Sequence, residues 1–291
     1  MVNKVYLESE EGKLFKLTVD NNGVLGTEEI PTKCIPGYEV KFLINPKVVL
    51  NGEELSEDFK KVFELKGITR ASYYDTDNLD LNKSGWTIRV RKKSNKKAQQ
   101  CTFKKRYSGI NKGHKLKQNE LDKTLLKAFK EGFHSVNESF NEGCEVDYGY
   151  SNCTLSFSND LYMEVTGKGN IDIPNEEESL IFIKENKPKD LNLDLDKIRE
   201  HGPVELKTYS AKIEDIEFSL DILSVVSSKG SDSTETIVEL SFKLEDYTGE
   251  IQKSGLNTVN KLRDKVQYSL NKYGILLKED GLKTNIILNR Y

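Results

Sequence analysis

Five segments of this chain alternate, residue by residue, between an apolar face and a face that carries isolated acids and bases. In "GYEVKFLI" the apolar Tyr38, Val40, Phe42 and Ile44 alternate with Glu39 and Lys41. In "WTIRVRKK" Trp86, Ile88 and Val90 alternate with Thr87, Arg89 and Arg91. Thr102 and Lys104 share a face in "CTFKK", and Asp221 stands on the face opposite Phe218, Leu220 and Ile222 in "FSLDI". Glu239 and Ser241 likewise oppose Val238, Leu240 and Phe242 in "TIVELSF". A period of two belongs to a β-strand with one buried face. Such strands build one of two things. In a sandwich the polar faces are wet and the apolar faces are the core. In a closed barrel turned inside out, the apolar faces pack against outer helices and the charged faces line a channel. Charges taken out of water need partners, and mixed signs on one face supply them.

The rest of the chain fits a mainly antiparallel α+β domain with helices outside. "VYLESE" and "KLFKLTVD" read as an N-terminal hairpin closed by "EGK", followed by a loop rich in Gly and Thr. "LSEDFKKVFELKG" predicts a short helix with Ser56 as N-cap and Gly67 as its stop. Leu121, Leu125, Leu126 and Phe129 have helical spacing, as do Val259, Leu262, Val266 and Leu270 near the C-terminus. "PVELKTYSAKI", "IEFSLDILSV" and "TETIVELSFKL" predict three successive antiparallel strands. Residues 135–200 carry only short strand signals, "CTLSFS", "LYMEVTG" and "SLIFIK", and read as an insertion.

Composition narrows the function. No run approaches the roughly 18 apolar residues a spanning helix needs, and "MVNKVYLESEEGK" lacks the apolar core of a signal peptide, so a cytoplasmic protein without a membrane partner is expected. Cys34, Cys101, Cys144 and Cys153 have no C-x-x-C spacing, and His114, His134 and His201 lie far apart, which leaves little for a zinc site or a Ser-His-Asp triad. The net charge is -3, yet Lys83–Asn119 holds thirteen Lys or Arg and no acid. That is either a solvated hairpin, as Lys92, Lys93, Lys96 and Lys97 suggest, or a positive field that draws in a polyanion.

The segments "GYEVKF", "YYDT", "LDL", "SGWTIRVRKK", "CTFKK", "HKLKQNEL", "FSLDI", "TIVELSF" and "GLKT" resemble, in order, the motifs of the CYTH group of triphosphate tunnel metalloenzymes. That group includes inorganic triphosphatases, thiamine-triphosphatases and class IV adenylate cyclases, with capping RNA triphosphatases as more distant members. The resemblance runs from about Gly37 to Lys283 and is densest in residues 73–106. It implies a closed eight-stranded antiparallel β-barrel over 37–291, with residues 1–36 as an accessory hairpin.

The resemblance also implies the chemistry. Arg89, Arg91, Lys41 and Lys104 would clasp a triphosphate, joined by Lys207 or Lys212 and by Lys283. Glu39, Glu120, Asp221 and Glu239 would hold Mg²⁺ or Mn²⁺, with Glu39 and Glu239 sharing the activating cation and acting with Lys41 in catalysis. The implied function is metal-dependent hydrolysis of inorganic triphosphate or a nucleoside triphosphate such as ATP. The alternatives are an RNA 5′-triphosphatase, a class IV cyclase, and a module that binds nucleotide or polyphosphate without cleaving it. Three motifs depart from the group's pattern: Gly37 replaces the first Glu of E-x-E-x-K, Gln118 replaces the Arg of R-x-E, and the last E-x-E retains only Glu239, with Ile237 and Ser241 on either side. Fewer carboxylates lower divalent-ion affinity. Glu235, on the face of Ile237, is the nearest acidic substitute.

Overall fold

A computed structural model describes residues 6–9, 14–30, 36–133, 142–163, 176–188, 191, 195–244 and 250–291. The turn "EGK", Cys34 and His134 lie outside the described residues.

Strands β1 (Tyr6–Glu8), β2 (Leu14–Val19) and β3 (Leu25–Ile30) form a separate antiparallel sheet. The predicted hairpin is its first half, and the segment read as a loop supplies a third strand, Leu25 to Ile30 pairing with Val19 to Leu14. Strand β4 (Gly37–Ile44) opens the barrel. A short excursion follows: α1 (Pro46–Val49), the two-residue strands β5 (Leu50–Asn51) and β6 (Glu54–Leu55), and α2 (Glu57–Lys60). The predicted helix there is thus one turn long. Its expected stop, Gly67, lies inside β7 (Glu64–Thr76), because Glu64 onward is drawn into the barrel ladder.

Helix α3 (Asp80–Lys83) leads to β8 (Trp86–Lys93) and β9 (Gln99–Ser108). After α4 (Gln118–Lys130) come β10 (Glu142–Tyr148), β11 (Cys153–Met163) and α5 (Glu176–Asn186). Then β12 (Ile198–Ile213), β13 (Ile216–Val226) and β14 (Thr234–Leu244) run as successive hairpins into α6 (Glu250–Lys272) and α7 (Lys283–Arg290).

Nine strands close the barrel in the order β10-β11-β9-β8-β7-β12-β13-β14-β4. The expectation of eight antiparallel strands is corrected by β10, which pairs antiparallel with β11 but parallel with β4. Residues 142–163, expected to be part of an insertion, are therefore two staves of the barrel. "SLIFIK" is helix α5, not strand: Ile183 is buried against Tyr74, Ile88 and Phe103 on the barrel's outer wall.

Of the two arrangements open to the alternating strands, the barrel with outward apolar faces is the one formed. Tyr38, Val40, Phe42 and Ile44 join the outward residues of β10, β11, β13 and β14 in one cluster, covered by Leu121, Leu125 and Phe129 of α4 and Val259 of α6. A third cluster is internal. Leu43, Ala71, Tyr73, Val204, Leu223, Val225 and Ile237 occupy inward positions and receive Ile287 and Leu288 of α7, which stops one end of the barrel. Toward the opposite end a cavity is lined by Lys93, Glu217, Ser219 and Lys243.

Candidate functional site

The inward positions next to this apolar plug carry the charges. Glu39 and Lys41 lie two residues apart on β4, so both point inward beside Leu43. Lys41 Nζ is 2.7 Å from Asp147 Oδ1 and 2.9 Å from Glu39 Oε2. Lys104 of β9 reaches the same Asp147 at 3.3 Å and Glu145 at 3.8 Å, and Lys243 of β14 reaches Glu145 at 2.7 Å. Carboxylate oxygens of Glu39, Glu145 and Asp147 all lie within 4.8 Å of one another. An all-oxygen set of three carboxylates is the donor chemistry that hard divalent cations take. Burial would raise the Asp147 carboxyl, but Lys104 and Lys41 outweigh it and hold it well below the ordinary range. Glu39 is lowered in the same way: burial raises it, and Lys41 together with Lys243 outweighs that.

A second acidic pair lies deeper. Asp221 and Glu239 face each other across the β13–β14 ladder, and Lys283, first residue of α7, contacts both, with Glu239 Oε1 at 2.9 Å. Thr208 donates a hydrogen bond to Asp221 at 2.7 Å. Burial raises the Glu239 carboxyl even with Lys283 and Lys41 near it.

The arginines differ from the lysines. Arg89 donates to the Thr102 hydroxyl at 3.4 Å, Arg91 to the Gln100 amide oxygen, and Arg106 to the hydroxyls of Thr87 and Thr284. Among the described residues none of the three guanidinium groups has a carboxylate within ion-pair distance, and Arg89 Nε and Arg106 Nε are buried with no hydrogen-bond partner. The neighbouring Arg89, and then burial, lower the Arg91 guanidinium to about 10. Arg89, Arg91 and Lys93 open into a cavity of about 580 Å³, together with Glu39, Asp221, Lys243 and Lys283.

The structure thus gathers Glu39, Lys41, Arg89, Arg91, Lys104, Asp221, Glu239 and Lys283 inside one barrel. It leaves three predicted residues outside. Lys207 pairs with Glu54 at 3.0 Å on the outer surface, Lys212 is exposed beside Asp215, and Glu120 caps α4 and lies 3.2 Å from His114. On β12 the inward neighbour is Thr208, one residue from Lys207; a one-residue step along a strand changes the face. Nor do Glu39 and Glu239 meet. Glu239 is level with Leu43 on β4, four residues from Glu39, which is about 13 Å along the strand.

Of the four lysines read as a solvated hairpin, Lys93, Lys96 and Lys97 are exposed. Lys92 is instead fully buried and donates to the Lys96 carbonyl, and Lys93 lines the cavity. Asp75 of "YYDT" is structural: it accepts from the backbone N–H groups of Thr76, Leu81 and Asn82, fixing the turn between β7 and β8.

Residues 36–140 match the CYTH domain. That segment contains Glu39, Lys41, Arg89, Arg91 and Lys104, while Glu145, Asp147, Asp221, Glu239 and Lys283 fall beyond it. No curated protein matches the chain. Among solved structures, HpAC1 from Hippeastrum, named for adenylyl cyclase and a dominant triphosphatase activity, is similar at 10% identity, with 86% of this chain and 93% of that one covered and a TM-score of 0.46. A Bacillus halodurans protein named for adenylate cyclase is similar at 13% identity, 87% and 97% coverage and a TM-score of 0.44. A Vibrio parahaemolyticus protein of the same naming follows at 9% identity, 87% and 98% coverage and 0.40.

Proposed function

We propose that the barrel binds the triphosphate moiety of a small molecule and hydrolyses its terminal anhydride with the help of Mg²⁺ or Mn²⁺. The observation that carries this reading is that, among the described residues, Arg89, Arg91 and Arg106 have no carboxylate within ion-pair distance, in a barrel where Lys41, Lys104, Lys243 and Lys283 each have one. An unmatched charge withdrawn from water is costly. An anion supplied from outside offsets that cost, and the planar guanidinium fork suits phosphate oxygens.

In this reading Arg89, Arg91 and Lys93 bind the phosphate chain as it enters the cavity, and Lys41 and Lys104 turn from their carboxylates toward its oxygens. Glu39, Glu145 and Asp147 would hold the divalent cation. When bound, that cation neutralises phosphate charge and favours attack of water on the terminal phosphorus. The attacking water forms the new P–O bond and gives up a proton to solvent, the bond from the terminal phosphorus to its bridging oxygen breaks, and inorganic phosphate leaves.

Release of phosphate from tripolyphosphate, ATP, thiamine triphosphate and triphosphorylated RNA, with each metal in turn, tests the proposal. Hydrolysis of tripolyphosphate or a nucleoside triphosphate is the expected result. One observation favours a second reading, binding without cleavage: each carboxylate of the acidic trio already faces an ammonium group. Binding of tripolyphosphate without turnover on any substrate would select it, and a cyclic nucleotide product from ATP would select the cyclase alternative.

A further inference from the structure

The two acidic groups in the barrel are neutralised in different ways. Lys41, Lys104 and Lys243 extend from strands, and Lys243 is half exposed. Lys283 is placed by a helix. It begins α7, whose Ile287 and Leu288 are buried inside the barrel. Just before it, Gly281 is pressed against Leu43 so closely that a Cβ would lie 2.5 Å from a Leu43 methyl carbon. One residue earlier, Asp280 accepts hydrogen bonds from the Ser151 N–H and Asn152 side chain at 3.0 Å. At the far end of α7, the Val226 N–H donates to the Tyr291 hydroxyl at 3.3 Å. The helix is fastened at both ends, and its ammonium is delivered to a fixed place between Asp221 and Glu239.

Three of the four oxygens of that pair are also engaged. Asp221 Oδ1 accepts from Thr208, and Asp221 Oδ2 and Glu239 Oε1 accept from Lys283. A divalent ion at this spot would meet the Lys283 ammonium and few free oxygen donors.

We infer that the Lys283 ammonium permanently fills a cation position between Asp221 and Glu239, so that the barrel takes one exchangeable divalent ion, at Glu39, Glu145 and Asp147, and not two. The location of that one ion rests on the function proposed above; the role of Lys283 does not.

Counting bound Mn²⁺ by electron paramagnetic resonance on the full chain without substrate tests the inference. One ion is expected in the wild type and two in Lys283→Met, while Lys283→Arg should stay at one. Two ions in the wild type, or a folded Lys283→Met with the wild-type count, would overturn it. No ion in the wild type and one in Lys283→Met would leave the Lys283 role standing and remove the cation from Glu39, Glu145 and Asp147. Should Lys283→Met not fold, the double variant Asp221→Asn, Glu239→Gln decides: an unchanged Mn²⁺ count supports the inference, and loss of one ion contradicts it.

Discussion

Lys41 and Asp147 meet at 2.7 Å across the junction where β4 and β10 run parallel and close the barrel. The pair ties the first stave to the stave that seals the ring, and Asp147 is almost wholly buried there. Removing one partner of a buried ion pair costs about 3–5 kcal/mol. Lys41 keeps Glu39 and Lys104 keeps Glu145, so Asp147→Asn should lie at the low end, about 3 kcal/mol by urea unfolding in EDTA. The lysines hold the folded-state Asp147 carboxyl below its unfolded value. Its contribution is therefore complete above the ordinary Asp range, near pH 4, and is lost as pH falls through and below that range. The gap between wild type and variant should narrow from pH 7 to pH 3. A gap independent of pH would mean that the carboxylate charge is not what stabilises the junction.

The plug can be tested apart from the charges. Ile287 is fully buried among the inward apolar residues. Truncation of such a side chain typically costs about 2–5 kcal/mol. Ile287→Ala should fall within that range in thermal or urea unfolding. A loss under about 1 kcal/mol would show that α7 docks too loosely to hold Lys283 in place.

Glu145 belongs to the acidic trio, yet the sequence reading passed over it. If charge count sets the affinity of the site, Glu145→Gln should weaken Mn²⁺ binding at least tenfold, about 1.4 kcal/mol, while circular dichroism is unchanged. Isothermal titration with Mn²⁺ reads this directly. Wild-type affinity in the variant would move the ion away from this trio.

The strands that alternate cleanly were legible because burial on one face enforces the period. Tyr38 to Ile44 and Trp86 to Arg91 keep their predicted faces throughout. "CEVDY" has the same signal: Glu145 and Asp147 alternate with Val146 and Tyr148, which are buried outward. It was missed because the surrounding residues 135–200 show little regular pattern, so two carboxylates central to the site went unassigned. "SLIFIK" misled for another reason, since a short apolar run buried on one side does not distinguish strand from helix. Lys207 and Lys212 rested on the resemblance alone, and the structure puts Lys207 one residue from the inward Thr208 and Lys212 near the exposed end of β12. The pairing of Lys283 with Asp221 depends on how α7 turns back into the barrel, a relation 62 residues long that no local pattern encodes.

The N-terminal sheet forms its own three-strand ladder, separate from the barrel. Deleting residues 1–30 should therefore leave tripolyphosphate affinity within about tenfold, roughly 1.4 kcal/mol. Fluorescence or calorimetric titration of the deleted chain is the check. A folded deletion that no longer binds would show that this sheet completes the phosphate site.

The arginines give the sharpest test of the barrel's purpose. Arg89 and Arg91 share one wall of the cavity and repel each other, with Asp160 offsetting this only in part, a tension that a bound polyanion relieves. Truncating a charged contact in a desolvated site costs about 2 kcal/mol or more. Arg89→Ala and Arg91→Ala should each weaken tripolyphosphate binding by about that amount, near thirtyfold. Lysine at either position should restore only part, because a point charge lacks the planar fork. Lys96 and Lys97 provide the contrast, since both are exposed on the hairpin. Changing both to Gln should slow association at low salt and do little at high salt, as for charges that steer and do not touch the ligand. Titrations of both sets against tripolyphosphate at low and high ionic strength separate these behaviours. If the arginine variants lost only a salt-sensitive fraction, as the lysines should, their guanidinium groups would be serving the outer field, and the barrel interior would need a different ligand.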